Sequence, residues 1–259
     1  MSRVPNVDLP VPLDLEGRLA LVTGAAGGIG FAIARMLLRA GTRVLAIDKD
    51  GPALEEIESQ IGWIPVVEDM AQADTEKLAD ELVSRYGPVE LIVNNAGITT
   101  PHTFLSLEEN EFDLVFRTNL KGPWFFTRGL VKHLIDAKRQ GSIVFISSLH
   151  DSHVRLYPHY SVSKAGVAML AKELAQELAG HNIRVNAISP GAIHTSASTP
   201  QERGRRTLDG LIPTGRMGTP EEIARASLFL LSDQCAGYIT GANLRVDGGL
   251  SLHNWLMDL

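Results

Sequence analysis

The stretch Leu19-Ala-Leu-Val-Thr-Gly-Ala-Ala-Gly-Gly-Ile-Gly30 joins a short apolar run to a cluster of glycines. Residues 19–22 predict a buried strand, and the apolar spacing of residues 31–38 predicts a helix directly after the glycines. Glycines at such a turn let the backbone approach a diphosphate, which then binds amides at the helix N-terminus. A glycine-rich turn without a ligand gives a similar string, but the flanking strand and helix favour a dinucleotide site. The candidate contacts are Gly24, Gly28, Ile29 and Gly30.

An aspartate at the end of the second predicted strand indicates which dinucleotide is bound. Asp48 follows residues 43–47 and lies 18 positions after Gly30. An acid ~20 residues beyond the glycines binds the adenosine ribose hydroxyls of NAD and repels the additional phosphate of NADP. Taken alone, an aspartate at a strand end is more often a cap or turn residue. The combination with the glycine turn favours NAD, with NADP as a less favoured alternative because Arg43 and Lys49 are nearby.

Short apolar runs alternate with longer amphipathic segments along the rest of the chain. Consecutive β-branched residues in several of these runs are typical of parallel strands that are buried on both faces. Strands alternating with helices predict an α/β protein with a doubly wound Rossmann fold in a single domain over residues 15–259. The seven predicted strands are residues 19–22, 43–47, 64–67, 91–93, 142–146, 184–188 and 243–246.

The composition of the 259-residue chain excludes several other classes of protein. A formal net charge of −6 argues against nucleic-acid binding, which needs a basic surface. The single cysteine, Cys235, excludes a disulfide framework and a multi-cysteine metal site, and we expect no metal. No apolar stretch approaches the ~18 residues of a membrane span, and residues 1–12 lack a signal-peptide pattern. We expect a cytoplasmic protein that acts on a small molecule.

Tyr160 and Lys164 lie four residues apart on a predicted helix, hence on one face of it. For tyrosine to act as a general acid or base, its pKa must fall from ~10 toward neutrality, which requires about 4 kcal/mol. One positive charge ~6 Å away supplies about 2.8 kcal/mol at an effective dielectric constant of about 20. We therefore expect Lys164 and the positive ring of an oxidised nicotinamide to shift this pKa together. An ordinary surface pair is the alternative for this spacing taken alone.

Polar residues at the ends of two further strands strengthen the catalytic interpretation. Ser147 and Ser148 end the fifth strand twelve residues before the tyrosine, and Asn94-Asn-Ala-Gly97 follows the fourth. Parallel α/β sheets bind ligands at the carboxyl ends of their strands. A serine there can hydrogen-bond a substrate oxygen, although consecutive asparagines are also common turn residues.

These motifs together resemble the short-chain dehydrogenase/reductase family over residues 15–249. The resemblance implies a single Rossmann domain with a seven-stranded parallel sheet, a nicotinamide cofactor and a homotetramer. The motifs, in chain order, are the Thr23–Gly30 turn, Asp69, Asn94 to Gly97, Thr118 to Gly122, Ser148, Tyr160 with Lys164, Pro190 to Thr195, Thr240-Gly241 and Val246 to Gly249.

The resemblance also implies a role for each matching residue. Tyr160 would exchange the proton, Lys164 would lower its pKa and bind the nicotinamide ribose, and Asn119 would hold a proton-relaying water. Ser148 would polarise the substrate oxygen; Ser147 fits the spacing too, but the second serine of such a pair is the usual one. Asp69 would face the adenine of the cofactor. Asn95, Ala96 and Gly97 would border the cofactor, and Pro190, Gly191, Ile193 and Thr195 would line the nicotinamide.

The loop after the fifth strand, Leu149-His-Asp-Ser-His-Val-Arg155, is unusually polar. We interpret it as a hydrogen-bonding wall for a hydroxylated substrate, with a solvated loop as the alternative. His150 and His153 are candidate substrate contacts, as are His102 and His194 at the rim. The string around His150, together with His159-Tyr160, resembles the glucose and polyol dehydrogenases of the family.

Several segments at the edges of the motifs carry weaker predictions. Residues 1–14 predict a proline-containing arm, residues 194–212 a substrate lid, and residues 250–259 an apolar tail around Trp255 that packs on a subunit or beside the active site. Arg203, Arg205 and Arg206 in the lid are candidate anion contacts, although such charges are usually solvated. Ser106-Leu-Glu-Glu109 and Thr219-Pro-Glu-Glu222 predict capping boxes at two helix starts.

The main functional hypothesis is an NAD-dependent oxidoreductase that interconverts a secondary alcohol and its carbonyl, with a sugar or polyol as the candidate substrate. Reduction of 3-oxoacyl thioesters with NADPH is one alternative, disfavoured by Asp48 and by the acidic charge. A regulator that binds NAD without turnover is another, disfavoured because every catalytic position is filled.

Overall fold

A computed structural model describes residues 13–195 and 210–252 of the chain. In these residues seven parallel strands form one sheet in the order β3-β2-β1-β4-β5-β6-β7. This confirms the predicted Rossmann-type α/β fold, with each predicted strand present. The strands are β1 (Leu19–Thr23), β2 (Arg43–Asp48), β3 (Ile64–Val67), β4 (Leu91–Asn94), β5 (Gly141–Ile146), β6 (Ile183–Pro190) and β7 (Asn243–Val246).

Helices cover both faces of the sheet because successive side chains of each strand point in opposite directions. Leu19 and Leu21 of β1 belong to a buried cluster with α3, α5 and α6, whereas Ala20 and Val22 belong to a second cluster with α1, α2 and α7. The helices are α1 (Gly28–Arg39), α2 (Gly51–Ile61), α3 (Thr75–Tyr86), α4 (Glu109–Phe116), α5 (Gly122–Asp136), α6 (Pro158–Leu178), α7 (Pro220–Leu231) and α8 (Asp233–Ala236).

The strand order reverses at β1, which pairs with β2 on one side and with β4 on the other. The connections that leave β1 and β4 therefore run in opposite directions and open a crevice at the carboxyl ends of the strands. The glycine turn follows β1, and the asparagine motif follows β4. The topology thus brings two of the predicted motifs to the same crevice.

One of the two predicted capping boxes is confirmed and the other is wrong. Thr219 precedes α7, and its amide donates to Glu222 Oε2 at 2.8 Å in a capping box. By contrast, α4 begins at Glu109. Ser106 closes the preceding turn, where its Oγ accepts from the Thr103 amide at 3.0 Å. Its hydroxyl is therefore used upstream of the helix that it was expected to cap.

Three predicted segments lie wholly or mainly outside the described residues. These are the arm over 1–14, the lid over 194–212 with Arg203, Arg205 and Arg206, and the tail over 250–259 with Trp255. Of the tail, residues 250–252 form one turn of 3₁₀-helix. Among the residues that are described, no helix has the length and apolarity that crossing a membrane requires.

Candidate active site

Hydrogen bonds join the ends of β1 and β4 at the crevice. Thr23 Oγ1 accepts from the amides of Asn95 and Ala96, both at 3.0 Å. In the other direction, Asn95 Nδ2 donates to the carbonyls of Thr23 and Gly24 at 2.9 and 3.1 Å. The asparagine motif therefore holds the start of the glycine turn in a fixed position. Sequence analysis missed Thr23 in this role, although its place directly before Gly24 was the available signal.

The glycine turn fits the diphosphate of a dinucleotide. Gly24 has a φ of +66°, which favours glycine, and a Cβ on Gly30 would lie 2.0 Å from the Gly24 carbonyl oxygen. In the described structure no side chain caps the start of α1, and its first turn contains no acidic residue. The amides of Gly28 and Ile29 at this helix start are the groups that an anion would use.

Asp48 is the last residue of β2 and Asp69 follows the neighbouring strand β3, both near this turn. Asp48 Oδ2 accepts from the Ala26 amide at 3.0 Å, so the carboxylate borders the glycine turn directly. Asp69 lies two residues beyond β3, and its Oδ1 accepts from the Ala71 amide at 2.9 Å. Both acids therefore lie on the side of the crevice formed by β2 and β3, where the resemblance implies the adenosine half of a cofactor.

The segment after β6 closes the other side of the glycine turn. Pro190 ends β6, and the Gly191 amide donates to the Val246 carbonyl at 3.0 Å. Ile193 forms an isolated parallel bridge with Gly218. Thr195, the last described residue before a gap, lies against Gly28. Residues 190–195 thus run from the sheet edge to the start of α1.

Asn119 lies in a five-residue π-helical turn, Arg117–Lys121, between α4 and α5. Its Nδ2 donates to the Ile98 carbonyl at 2.9 Å and to Ser163 Oγ at 3.0 Å, and its Oδ1 accepts from the Ile98 amide at 2.8 Å. Such turns are frequent at functional sites. This one joins the loop after β4 to α6, so Asn119 positions the Ile98 backbone as well as facing the site.

The two adjacent serines at the end of β5 have different partners. Ser147 is buried, and its Oγ donates to the Lys164 carbonyl at 2.9 Å. Ser148 hydrogen-bonds the Tyr160 side chain, and its Oγ also accepts from the His150 amide at 3.2 Å. Ser147 therefore fixes the backbone of α6, and Ser148 is the serine that meets the tyrosine.

Tyr160 and Lys164 occupy one face of α6, as their spacing predicts. Lys164 Nζ lies 5.9 Å from the Tyr160 ring centroid and donates to the Ile146 carbonyl at 2.9 Å. Complete burial lowers the pKa of Lys164 to about 8. Burial raises the pKa of Tyr160, and the Ser148 hydrogen bond and the Arg155 charge only partly oppose it. The chain alone therefore does not bring the pKa of this phenol below its ordinary value.

The candidate substrate histidines occupy different places. The His150 ring lies 6.4 Å from the Tyr160 ring between centroids, and burial lowers the pKa of its imidazole. His153 Nε2 lies 3.2 Å from the Ser251 carbonyl, at the start of the predicted tail. His194 is exposed in a shallow groove of about 470 Å³ that Arg216 and Glu222 also line. His102 pairs with Glu111 at 3.0 Å.

Asp151 faces the sheet and is bound by side chains of three segments. Its carboxylate accepts from Asn243 and Ser152, each at 2.7 Å, from Ser189 at 2.5 Å and from Arg245 at 3.3 Å. Although burial raises its pKa, these hydrogen bonds hold the pKa of Asp151 below its usual value. The loop after Ser148 is therefore anchored to β6 and β7 through Asp151.

In the described residues no group of His, Cys, Asp and Glu side chains would hold a metal ion.

Comparison with known proteins assigns the family. A short-chain dehydrogenase/reductase family model, described as Enoyl-(Acyl carrier protein) reductase, matches residues 24–251. The chain belongs to the short-chain dehydrogenase/reductase family. It is therefore an oxidoreductase that acts on CH–OH or carbonyl groups with a nicotinamide cofactor.

Relatives within the short-chain dehydrogenase/reductase family differ in substrate and cofactor. The 3-oxoacyl-[acyl-carrier-protein] reductase FabG of Thermotoga maritima is 38% identical over 91% of this chain and 98% of its own. A solved structure from Agrobacterium tumefaciens with bound NADP, provisionally named a 2-deoxy-D-gluconate 3-dehydrogenase, is 37% identical with a TM-score of 0.84, over 93% of this chain and 98% of its own. The Brucella melitensis 3-ketoacyl-(acyl-carrier-protein) reductase, solved with NADH, is 33% identical with a TM-score of 0.83, over 92% and 99%.

The buried ammonium of Lys164 predicts a pH-dependent stability. Its pKa is about 8 in the folded chain and ~10.4 when unfolded. Since the unfolded state binds more protons between these values, this residue destabilises the fold most below pH ~8, and the penalty falls as the pH rises. From pH ~7 to pH ~9.5, the free energy of unfolding of wild type should rise by about 2 kcal/mol relative to Lys164→Met. Urea denaturation at both pH values measures this difference, and an unchanged difference would show that the ammonium is solvated.

Proposed function

We propose that this protein is an NAD-dependent oxidoreductase that interconverts a secondary alcohol and its carbonyl, with Tyr160 as general acid and base. The observation that carries the proposal is the convergence of Ser148, Tyr160 and Lys164 at the carboxyl end of β5, beside a turn that fits a diphosphate. A nicotinamide held at this crevice would supply the hydride chemistry at the carbinol or carbonyl carbon of the substrate.

Four side chains of the chain carry out proton transfer and orient the substrate oxygen. Tyr160 takes the hydroxyl proton of the alcohol during oxidation and returns a proton to the oxygen during reduction. Ser148, which already hydrogen-bonds the phenol, donates to the same substrate oxygen and so fixes it beside the proton acceptor. Lys164 supplies a nearby positive charge that favours the phenolate. Asn119 would hold a proton-relaying water, as the family resemblance implies.

Asp48 supports NAD as the preferred cofactor. It is the carboxylate that accepts from the glycine-turn amide of Ala26, so a ribose bound at this turn lies next to a negative charge. An additional phosphate on that ribose would be repelled. The relatives solved with NADP and with NADH show that both cofactors occur at comparable similarity, so the proposal rests on Asp48.

The substrate class is argued from the loop after Ser148. His150 lies close to the Tyr160 ring. Its neutral imidazole donates from Nδ1 to the His153 carbonyl at 3.1 Å, which leaves Nε2 as an acceptor for a hydroxyl group. This favours a polar, hydroxylated substrate of the sugar or polyol type. Reduction of 3-oxoacyl thioesters is the second candidate, and the 38% identity to the Thermotoga maritima reductase favours it.

Replacement of Tyr160 by Phe tests the reaction class. The variant should lose at least ~10³-fold in kcat, because it has no proton acceptor, while its Kd for NAD stays within about twofold. The substrate for these measurements is first identified by a spectrophotometric assay of sugars, polyols, steroids and simple secondary alcohols, each with NAD and with NADP. Tyr157→Phe removes the neighbouring phenol and is the matched control. Full activity of Tyr160→Phe would refute the mechanism, and a wild type that binds NAD but reduces it with no alcohol would favour the regulator.

The adjacent serines provide an internal comparison. Ser148→Ala should lower kcat by ~10²-fold or more because the substrate oxygen loses a donor. Ser147→Ala should instead lower the free energy of unfolding by about 1 kcal/mol through its lost bond to the Lys164 carbonyl. Steady-state kinetics and urea denaturation of both variants separate the two effects. The assignment fails if Ser147→Ala loses the greater part of kcat and Ser148→Ala does not.

Replacement of Asp48 by Ala tests the cofactor preference. Removing the carboxylate should raise kcat/KM with NADP and lower it with NAD, which shifts their ratio toward NADP by at least ~10-fold. Asp50→Ala, two residues further on, is a charge-matched control whose ratio should stay that of wild type. If the ratio changes equally in both variants, local charge rather than ribose recognition determines the preference.

A further inference from the structure

A buried histidine directly precedes the reactive tyrosine. His159 lies in the first turn of α6, and only 3% of its surface is exposed. Its Nε2 atom lies 3.1 Å from Thr100 Oγ1, a hydrogen bond in which either atom can donate. Thr100 belongs to the loop after β4, 59 residues earlier in the chain. The start of α6 is therefore tied by a side chain to a loop that borders the crevice.

The imidazole of His159 is neutral, and Thr100 is its hydrogen-bonding partner among the described residues. Burial lowers the pKa of His159; the Glu111 carboxylate raises it in part, and the charge of His102, which pairs with Glu111 at 3.0 Å, lowers it further. Its Nδ1 atom is buried and has no partner in the described part of the chain. A protonated imidazole would need an acceptor at each nitrogen. Replacement of this side chain by a neutral one therefore changes a contact without changing the charge beside the tyrosine.

The same loop is bound to α6 at a second point. Asn119 hydrogen-bonds the amide and the carbonyl of Ile98 and donates to Ser163 Oγ at 3.0 Å. The Ser163 hydroxyl in turn donates to the Tyr160 carbonyl at 2.7 Å. The loop is thus fastened to the turn that carries the phenol in two ways, through Ser163 and through His159.

We propose that His159 is a positioning residue for Tyr160, and that its bond to Thr100 holds the first turn of α6 against the loop after β4. His159 acts here through the backbone that it shares with its neighbour. A displacement of ~1 Å at a reacting group can lower a rate by ~10²-fold, so one bond that limits such a displacement affects turnover strongly. The inference rests on the proposed role of Tyr160 as general acid and base.

Variants that separate hydrogen bonding from packing test the inference. His159→Phe keeps an aromatic ring but removes the hydrogen bond, so kcat for the alcohol that the substrate assay identifies should fall at least ~10-fold. His159→Gln places an amide near the position of Nε2 and should keep kcat within ~3-fold of wild type. The Kd for NADH should stay within about twofold in both variants, because the glycine turn belongs to β1 and α1. The inference is overturned if His159→Gln is not the more active of the two, since a purely packing role favours His159→Phe.

Thr100 allows the same bond to be broken from the loop. Thr100→Val should lower kcat as His159→Phe does, whereas Thr100→Ser keeps the hydroxyl and should retain kcat. If both side chains act through one bond, the double variant His159→Phe/Thr100→Val should lose no more than ~3-fold beyond the more impaired single variant. Thr103→Val is the matched control, because it removes a hydroxyl of the same loop that lies 3.2 Å from Ser106 Oγ; its kcat should equal that of wild type. Multiplied losses in the double variant would overturn the assignment.

Crystal structures of wild type and His159→Phe provide a measurement that needs no substrate. In the variant, the loop should move away from α6 at Thr100 and the Tyr160 phenol should move away from Ser148; an unmoved phenol would overturn the inference. If His159→Phe does not fold, Thr100→Val is crystallised instead, because Thr100 is only half-buried.

The outcomes separate the positioning role from the proposed function. If Tyr160→Phe abolishes turnover while His159→Phe and Thr100→Val keep the kcat of wild type, the reaction class stands and only the positioning role fails. If wild type oxidises no alcohol, the proposed function fails, and the crystal structures still decide whether His159 positions the phenol.

Discussion

The burial of the Lys164 ammonium is the constraint on which the arrangement of the site depends. A buried charge is tolerated only where fixed polar groups compensate for its lost hydration. Lys164 donates to the carbonyl at the end of β5, and its own carbonyl accepts from Ser147 on the same strand. These two bonds fix the rotation of α6 against the sheet. Tyr160, one turn earlier on α6, is thereby directed at Ser148.

The loop after β4 reaches the same point through Asn119. The Asn119 side chain accepts from the Ile98 amide, donates to the Ile98 carbonyl and donates to Ser163 on α6. The π-helical turn that carries Asn119 widens the helix where these groups meet. Thr23 and Asn95 fasten this loop to the glycine turn. The glycine turn and the Tyr160 side of the crevice are therefore connected by hydrogen bonds between side chains and backbone, so displacement of one would disturb the other.

Sequence analysis predicted the parts of this site that follow from residue spacing in strands and helices and from the topology of a parallel sheet. The apolar runs of the seven strands, the glycine turn and the i, i+4 spacing of Tyr160 and Lys164 were sufficient because each is a local pattern with one common structural outcome. Ser106 shows the limit of such patterns, since a hydroxyl suited to capping was used by the preceding turn. Asp151 shows another limit. Its partners in β6 and β7 are distant in sequence, so nothing local indicated that it faces the sheet rather than a substrate.

Arg155 was least accessible to sequence reasoning because it precedes Leu156, whose φ of +69° carries no glycine signal. Its position affects the electrostatics of the tyrosine. Burial raises the pKa of Tyr160, and the Ser148 hydrogen bond and the Arg155 charge lower it only in part. On the proposed mechanism, the positive ring of a bound nicotinamide would add to these two effects, so activation of the phenol would depend on an occupied cofactor site.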